Sequence, residues 1–299
     1  MSILLDGSTR VLVQGITGRE ASLHVPYMQR YGTRIVAGVS PGKGGGEVHG
    51  VPVYDTVRDA VRAHEVDLAV LFVSARFTRD AALETIEARV PVAVLLAEGV
   101  PHHDAAEIVE RAREVGVRVI GPNSQGMISP GKAKVGGTGG DRPDLIFRPG
   151  PVGVISRSGG MGAEVAMALT KAGIGQSTYV AIGGDLVIGT EYTDLLPLFD
   201  ADPDTRVVVL FAEPGTGREE AAAEFIARTG FAKPVVAFVS GEILERLPRG
   251  MHFGHTGALI EAGLGRPSQK KAALRAAGVR IAERFDDIVP LVREALAER

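Results

Sequence analysis

The chain has 299 residues, with 33 basic against 36 acidic side chains, and 45% of its residues are hydrophobic. At about 100–200 residues per domain this length accommodates two domains, each with a sizeable core. A net charge of −3 gives no basic field for nucleic acid or an anionic membrane, and the absence of cysteine excludes disulfides, thiolate metal sites and a cysteine nucleophile.

The N-terminal MSILLDGSTR has no basic start followed by an apolar core, so no secretion signal is expected. Apolar runs such as 92–97 and 207–212 fall far short of the ~20 residues of a membrane span. A cytoplasmic protein with neither a membrane nor a nucleic-acid partner is expected. Short β-branched runs then recur at 10–14, 34–39, 67–73, 90–96 and 117–120, and again at 152–156, 178–182, 206–212, 234–239 and 279–282. Continuous apolar runs, rather than alternating ones, suit strands covered on both faces. Amphipathic patterns at 78–89, 104–115, 163–172, 218–229 and 285–297 separate many of them. Strand–helix alternation of this kind predicts an α/β chain built from doubly wound parallel sheets. The stretch 126–150 is rich in glycine and proline and has little periodicity, which predicts a connection between domains at 1–125 and 151–299.

In open α/β sheets ligands bind at the carboxyl ends of the strands. The first run ends in Gly15-Ile16-Thr17-Gly18-Arg19-Glu20 and leads into a helix. Glycine there lets the backbone approach a phosphate, and a helix N-terminus offers free N–H groups; the plainer reading is a tight strand-to-helix turn. The spacing is not that of the dinucleotide fingerprint. The second run ends in Ser40-Pro41-Gly42-Lys43-Gly44 where an acid would hold a ribose diol. A lysine at that point suits a phosphorylated ribose, as in NADP or coenzyme A, though such a loop can also be a solvated turn.

In the second half, Ser156-Arg157-Ser158-Gly159-Gly160 opens another helix, and Gly183-Gly184-Asp185 and Glu213-Pro214-Gly215 follow the next runs. His255 sits between Gly254 and Gly257, away from any helical stripe. His252 and His255 have no third ligand at useful spacing, so no metal site is expected. The imidazole's other use is nucleophilic, taking a phosphoryl group on one nitrogen while a carboxylate orients the other. Glu213 is a candidate for that carboxylate, although an acid at a helix entry reads equally well. Ser158, Gly159 and Gly160 would supply N–H donors to the phosphoryl group.

Taken together, QGITG (14–18), VSPGKGG (39–45), GPN (121–123), ISRSG (155–159), GIGQST (173–178), IGGD (182–185) and GHTGALI (254–260) resemble, in family order, the α subunit of succinyl-CoA synthetase. The resemblance implies a Rossmann-like CoA-binding domain followed by a flavodoxin-like ligase domain. It implies coenzyme A held by Thr17, Gly18, Arg19, Glu20, Lys43 and the segment at Glu98. It further implies that His255 carries the phosphoryl group, that Glu213 supports it, and that Ser158-Gly159 opens the helix receiving the phosphate. A separate ATP-grasp β subunit would bind ATP or GTP with Mg2+ and phosphorylate His255. The phosphoryl group would pass to a carboxylate, and CoA thiolate would displace phosphate from the acyl phosphate.

Four departures from the family pattern stand out. Its E-I-G-G is Glu213-Pro214-Gly215-Thr216 here, and its S-R-S-G-T-L-T-Y-E is SRSGGMGAE, with Ala163 at the tyrosine position. Its G-P-N-C-P-G is GPNSQG, and its lysine-rich approach to the histidine is replaced by 242–252. Loss of a hydroxyl from a carboxylate pocket changes which acid is held. Succinate is the first expectation, with malate or citrate as alternatives. A CoA-binding paralogue without catalysis and an NADP-type oxidoreductase are the rival readings.

Overall fold

A computed structural model describes residues 2–246, 255–258, 260 and 265–298. The first half runs β1 (Arg10–Gln14), α1 (Arg19–Arg30), β2 (Arg34–Val39), β3 (Glu47–Val48) and β4 (Val51–Tyr54). It continues through α2 (Val57–Ala63), β5 (Leu68–Leu71), α3 (Ala75–Glu87), β6 (Val92–Leu95), α4 (His102–Val115) and β7 (Arg118–Ile120). These strands form one sheet in the order β3-β4-β2-β1-β5-β6-β7, with β4 to β7 parallel and β3 antiparallel at the edge. Every residue of β5 and β6 is buried, as continuous apolar runs require when helices cover both faces. The chain order reverses beside β1, which opens a crevice at the carboxyl ends of β1 and β5.

The second half begins with β8 (Gly126–Ser129), β9 (Ala133–Gly136), β10 (Pro149–Ser156), α5 (Gly159–Lys171) and β11 (Gln176–Ala181). Then come α6 (Tyr192–Ala201), β12 (Val207–Ala212), α7 (Arg218–Thr229) and β13 (Val235–Val239). The chain closes with α8 (Pro267–Ala276), β14 (Arg280–Ala282) and α9 (Ile288–Ala297). The sheet order is β14-β13-β12-β10-β11-β8-β9. Its parallel strands follow the flavodoxin-like winding, with the switch point at β10 between β11 and β12.

The glycine- and proline-rich stretch 126–150 is not merely a connection. It supplies β8 and β9, which pair antiparallel with each other and add to the edge of the second sheet at β11. Its glycines serve close approach: Gly126 pairs with Gly136, and a Cβ on Gly126 would lie 2.0 Å from the Val135 carbonyl oxygen. The two halves share one apolar core, running from Val25 and Met28 on α1 to Val135 on β9 and Leu195 on α6. Polar stitches cross it as well. Ser129 Oγ donates to the Leu5 carbonyl at 2.6 Å, and Thr33 Oγ1 donates to the Lys134 carbonyl at 2.6 Å.

Among the described residues, no helix is long and apolar enough to cross a membrane. On the α6 side this shared core is anchored by Phe199, fully buried, whose ring lies where a Cβ on Gly153 would be, at 2.5 Å. Phe199→Ala is expected to destabilise the fold by about 3–5 kcal/mol. The check is a fall in the urea unfolding midpoint followed by circular dichroism.

Candidate active site

The first crevice begins at the turn after β1. Gly15 has φ +72°, and a Cβ there would meet the Phe72 carbonyl oxygen at 2.3 Å, so only glycine lets the two strand ends lie this close. Gly18 is the N-cap of α1 and no side chain caps it, which leaves the first N–H groups of the helix for a ligand. Thr17 Oγ1 donates to Ser40 Oγ at 2.9 Å, tying this turn to the loop after β2. That loop holds its shape through Lys43 N–H to the Ser40 carbonyl and Gly44 N–H to Asp55 Oδ1, and it leaves Lys43 exposed.

A cleft of about 450 Å³ lies here, with Gly18, Arg19 and Glu20 on one wall and Phe72, Leu96 and Ala97 on another. Thr17, Lys43 and Glu98 stand on the bordering loops rather than in the wall; Glu98 follows Ala97 and is exposed. Three further lining residues, His24, Gln125 and Gly137, were not anticipated from sequence. His24 is one helical turn after Glu20, and that i, i+4 spacing was a usable signal. Its ring stacks on Phe72, and burial, aided by the Lys134 charge, pulls its pKa below the ordinary imidazole value. Gln125 and Gly137 reach the cleft only because the second half folds against the first.

The second constellation centres on His255. Its Nδ1 lies 2.8 Å from Glu213 Oε2 and 3.0 Å from Oε1. Glu213 follows directly on β12 and is only 7% exposed, so the strand end aims a largely desolvated carboxylate at the ring. Arg157, completely buried, donates from Nη1 to the carbonyls of Glu213 and Pro214, both at 3.1 Å. Burial opposes the charge of Arg157, but the carboxylates of Glu219 and Glu213 outweigh it and its pKa ends above the ordinary value.

Three of the sequence words meet at this point. A Cβ on Gly184 would lie 2.2 Å from His255 Nδ1, and one on Gly183 would lie 2.3 Å from the Pro122 carbonyl oxygen. The IGGD loop is therefore pressed between GPN and GHTG. Asp185 Oδ1 accepts from Asn123 Nδ2 at 2.9 Å and from Thr256 Oγ1 at 3.3 Å. Gly257 N–H donates to the Gly184 carbonyl at 3.1 Å.

A cavity of about 290 Å³ beside His255 and Glu213 is walled by Pro214, Ser240, Gly241, Ile243, Leu244 and Ala258. Ser158, Gly159 and Gly160 do not line it. They form the N-terminal turn of α5, where Ser158 Oγ accepts from Met161 N–H at 3.3 Å and Gly160 faces open space. Tyr179, buried on β11, donates its hydroxyl to the Gly159 carbonyl at 2.8 Å. Ala163 lies on the same helix, packed against the second apolar core. His252, Gly254 and positions 247–252 of the stretch before the histidine lie outside the described residues.

Family models match a segment in each half of the chain. A CoA binding domain matches residues 6–99, and a succinyl-CoA ligase like flavodoxin domain matches residues 149–294. The chain is 47% identical over 296 residues to a succinate–CoA ligase [ADP-forming] subunit alpha 2 of Archaeoglobus fulgidus, covering 99% of this chain and 100% of that one. It belongs to the succinate–CoA ligase α-subunit family. An ADP-forming sulfoacetate-CoA ligase subunit of Bilophila wadsworthia is 40% identical over 296 residues, covering 99% of this chain and 100% of that one. Among solved structures, ATP citrate lyase from Methanothrix soehngenii in complex with citrate and coenzyme A superposes with a TM-score of 0.91 at 28% identity. That match covers 99% of this chain, which spans only 51% of the lyase chain.

In this family member, the bond to Glu213 raises the pKa of His255 above the ordinary imidazole value, and burial only partly opposes it. The stabilisation from this pair is therefore fully present below the unfolded imidazole pKa and fades as pH rises through the elevated folded value. Glu213→Gln is expected to move the His255 titration downward. Imidazole NMR titration of the two proteins is the check.

Proposed function

We propose that the chain is the α subunit of an ADP-forming acid–CoA ligase that works through phosphorylated His255. The observation that carries this reading is the His255–Glu213 pair at 2.8 Å. With Nδ1–H donating to the carboxylate, the lone pair is fixed on Nε2, and the ring is poised as a nucleophile. In the first step Nε2 takes the γ-phosphoryl group of ATP, held with Mg2+ by a partner β subunit of ATP-grasp type, and ADP leaves. A carboxylate oxygen of the acid then attacks phosphorus, breaking the N–P bond and returning the imidazole. CoA thiolate finally attacks the acyl carbon and inorganic phosphate departs. Splitting the condensation into two phosphoryl transfers and one acyl transfer replaces one high barrier by lower ones.

On this reading the free N–H groups at the start of α1, with Lys43, hold the phosphates of coenzyme A, and Thr17, Arg19, Glu20 and Glu98 border it. The start of α5, at Ser158-Gly159-Gly160, receives phosphate. The same reading puts the complex in the cytoplasm, where ATP and coenzyme A are its substrates. Succinate is the first acid to test. The missing tyrosine at Ala163, together with the relative that acts on sulfoacetate and the neighbour that binds citrate, supports a panel including both, and malate. A paralogue without catalysis is disfavoured, because it would have no use for a desolvated carboxylate aimed at a histidine.

The assembled complex, given γ-labelled ATP, is expected to acquire acid-labile, base-stable label that His255→Asn abolishes. Equal labelling of wild type and variant sinks the reading. Glu213→Gln is expected to slow thioester formation on the order of 100-fold or more. Gly184→Ala puts a methyl group into the space of the imidazole and is expected to slow labelling while leaving the binding of coenzyme A unchanged. Stopped-time labelling and calorimetry measure the two effects.

A further inference from the structure

The first turn of α5 is backed by two buried hydroxyl groups. Ser158 is the N-cap, and its Oγ engages the Met161 N–H. The N–H groups of Gly159 and Gly160 remain, and neither donates to an acceptor among the described residues. A Cβ on Gly160 would have nothing within 4 Å, so the turn is open on that side. The carbonyls of the same two peptides are engaged from behind. The peptide that carries the Gly159 N–H begins at the Ser158 carbonyl, which accepts from Ser156 Oγ at 2.5 Å. The peptide that carries the Gly160 N–H begins at the Gly159 carbonyl, which accepts from the Tyr179 hydroxyl at 2.8 Å. Ser156 and Tyr179 are both fully buried. Burial pushes the Tyr179 hydroxyl above its ordinary pKa, so it stays protonated and remains a donor. A Cβ on Gly162 would lie 2.5 Å from Ser156 Cβ and 2.7 Å from Tyr179 Cε2. Only glycine at 162 lets both side chains reach the turn, and the family's S-R-S-G-T-L-T-Y-E has threonine there.

An amide is one conjugated unit. A hydrogen bond donated to its oxygen draws electrons away from its nitrogen and makes the N–H a stronger donor, by about 10–30% per bond. The gain is felt most by an anion, whose bonds to N–H groups are charge-assisted. We propose that Tyr179, with Ser156 beside it, is a positioning residue for phosphate: the two hydroxyls fix and polarise the peptides whose N–H groups at Gly159 and Gly160 bind it. This rests on the acid–CoA ligase reading above, which brings phosphate to the start of α5. It adds a tyrosine on β11 that touches no ligand and acts through the backbone. A buried hydroxyl that merely satisfied itself on the nearest carbonyl would leave anion affinity unchanged when removed.

The test reads the peptide and the anion together. The full chain is labelled with glycine carrying carbonyl carbon-13 and nitrogen-15, so that a carbonyl-filtered amide spectrum shows only Gly-Gly peptides. The Gly160 signal is assigned by its loss in Gly160→Ala. Tyr179→Phe, which removes the hydroxyl and keeps the ring, is expected to move the Gly160 amide proton upfield before any ligand is added. Inorganic phosphate is then titrated in, and Tyr179→Phe is expected to bind it about threefold more weakly than wild type. Ser156→Ala tests the second bond separately and carries the same expected loss of affinity. An unmoved Gly160 proton in Tyr179→Phe, unchanged phosphate affinity in both variants, or a Gly160 signal that phosphate does not shift in wild type overturns the proposal. None of these touches the ligase reading, which falls instead if ATP leaves no label on His255 of the wild-type complex.

Discussion

A charged guanidinium sealed inside the second domain organises the site. Arg157 is fully buried, and a cation so placed is tolerable only if carboxylates and carbonyls surround it. Glu219 answers it from α7 and is itself bound to the buried Lys270, while the Glu213 and Pro214 carbonyls accept from its Nη1. The Glu213 side chain is the outermost member of this network, and it spends its two oxygens on His255. The imidazole is thus fixed by a rigid, desolvated carboxylate rather than by a surface acid free to change rotamer. Removing any inner member would leave a buried charge unbalanced and disturb the outer pair.

Around that network, glycines set the distances. Gly183 and Gly184 let one loop pass between the end of the first domain and the imidazole, and Gly257 lets the histidine loop close over the same strand end, where a Cβ would meet Arg157 Nη2 at 2.7 Å. Asp185 then links both neighbours by hydrogen bonds. Three separate sequence words thereby form one physical object. The GPN turn after β7, the turn after β11 and the histidine loop cannot move independently, because their backbones are in contact.

Much of this was legible in the sequence. Runs such as 67–73 and 206–212 read as buried strands because a strand covered on both faces has few polar positions to interrupt it. The turns after them stood out because each needs glycine or an N-cap residue. Other elements carry no such local signal. α6 carries Pro197 in its interior, and α8 opens with Pro267, so their apolar periodicity is broken or late. The stretch 126–150 looked like a connection because glycine is equally frequent in linkers and in strands whose backbones must touch. Ser158, Gly159 and Gly160 read as a helix start, and the contact of Gly159 with Gln125 could not be read beside it.

The amino-acid sequence by itself determined the α/β class, the positions of the glycine-bearing turns at the strand ends and the kinds of side chain at His255 and Glu213. These depend on local properties: periodicity, glycine at forced turns, and the kind of side chain at a strand end. Tertiary structure alone decided how closely the imidazole meets that carboxylate, that His24 and Gln125 share a cleft with Gly18, and that Arg157 underpins the pair. Those contacts join residues far apart along the chain, and nothing local encodes a distance between two strand ends until the sheets have wound and packed.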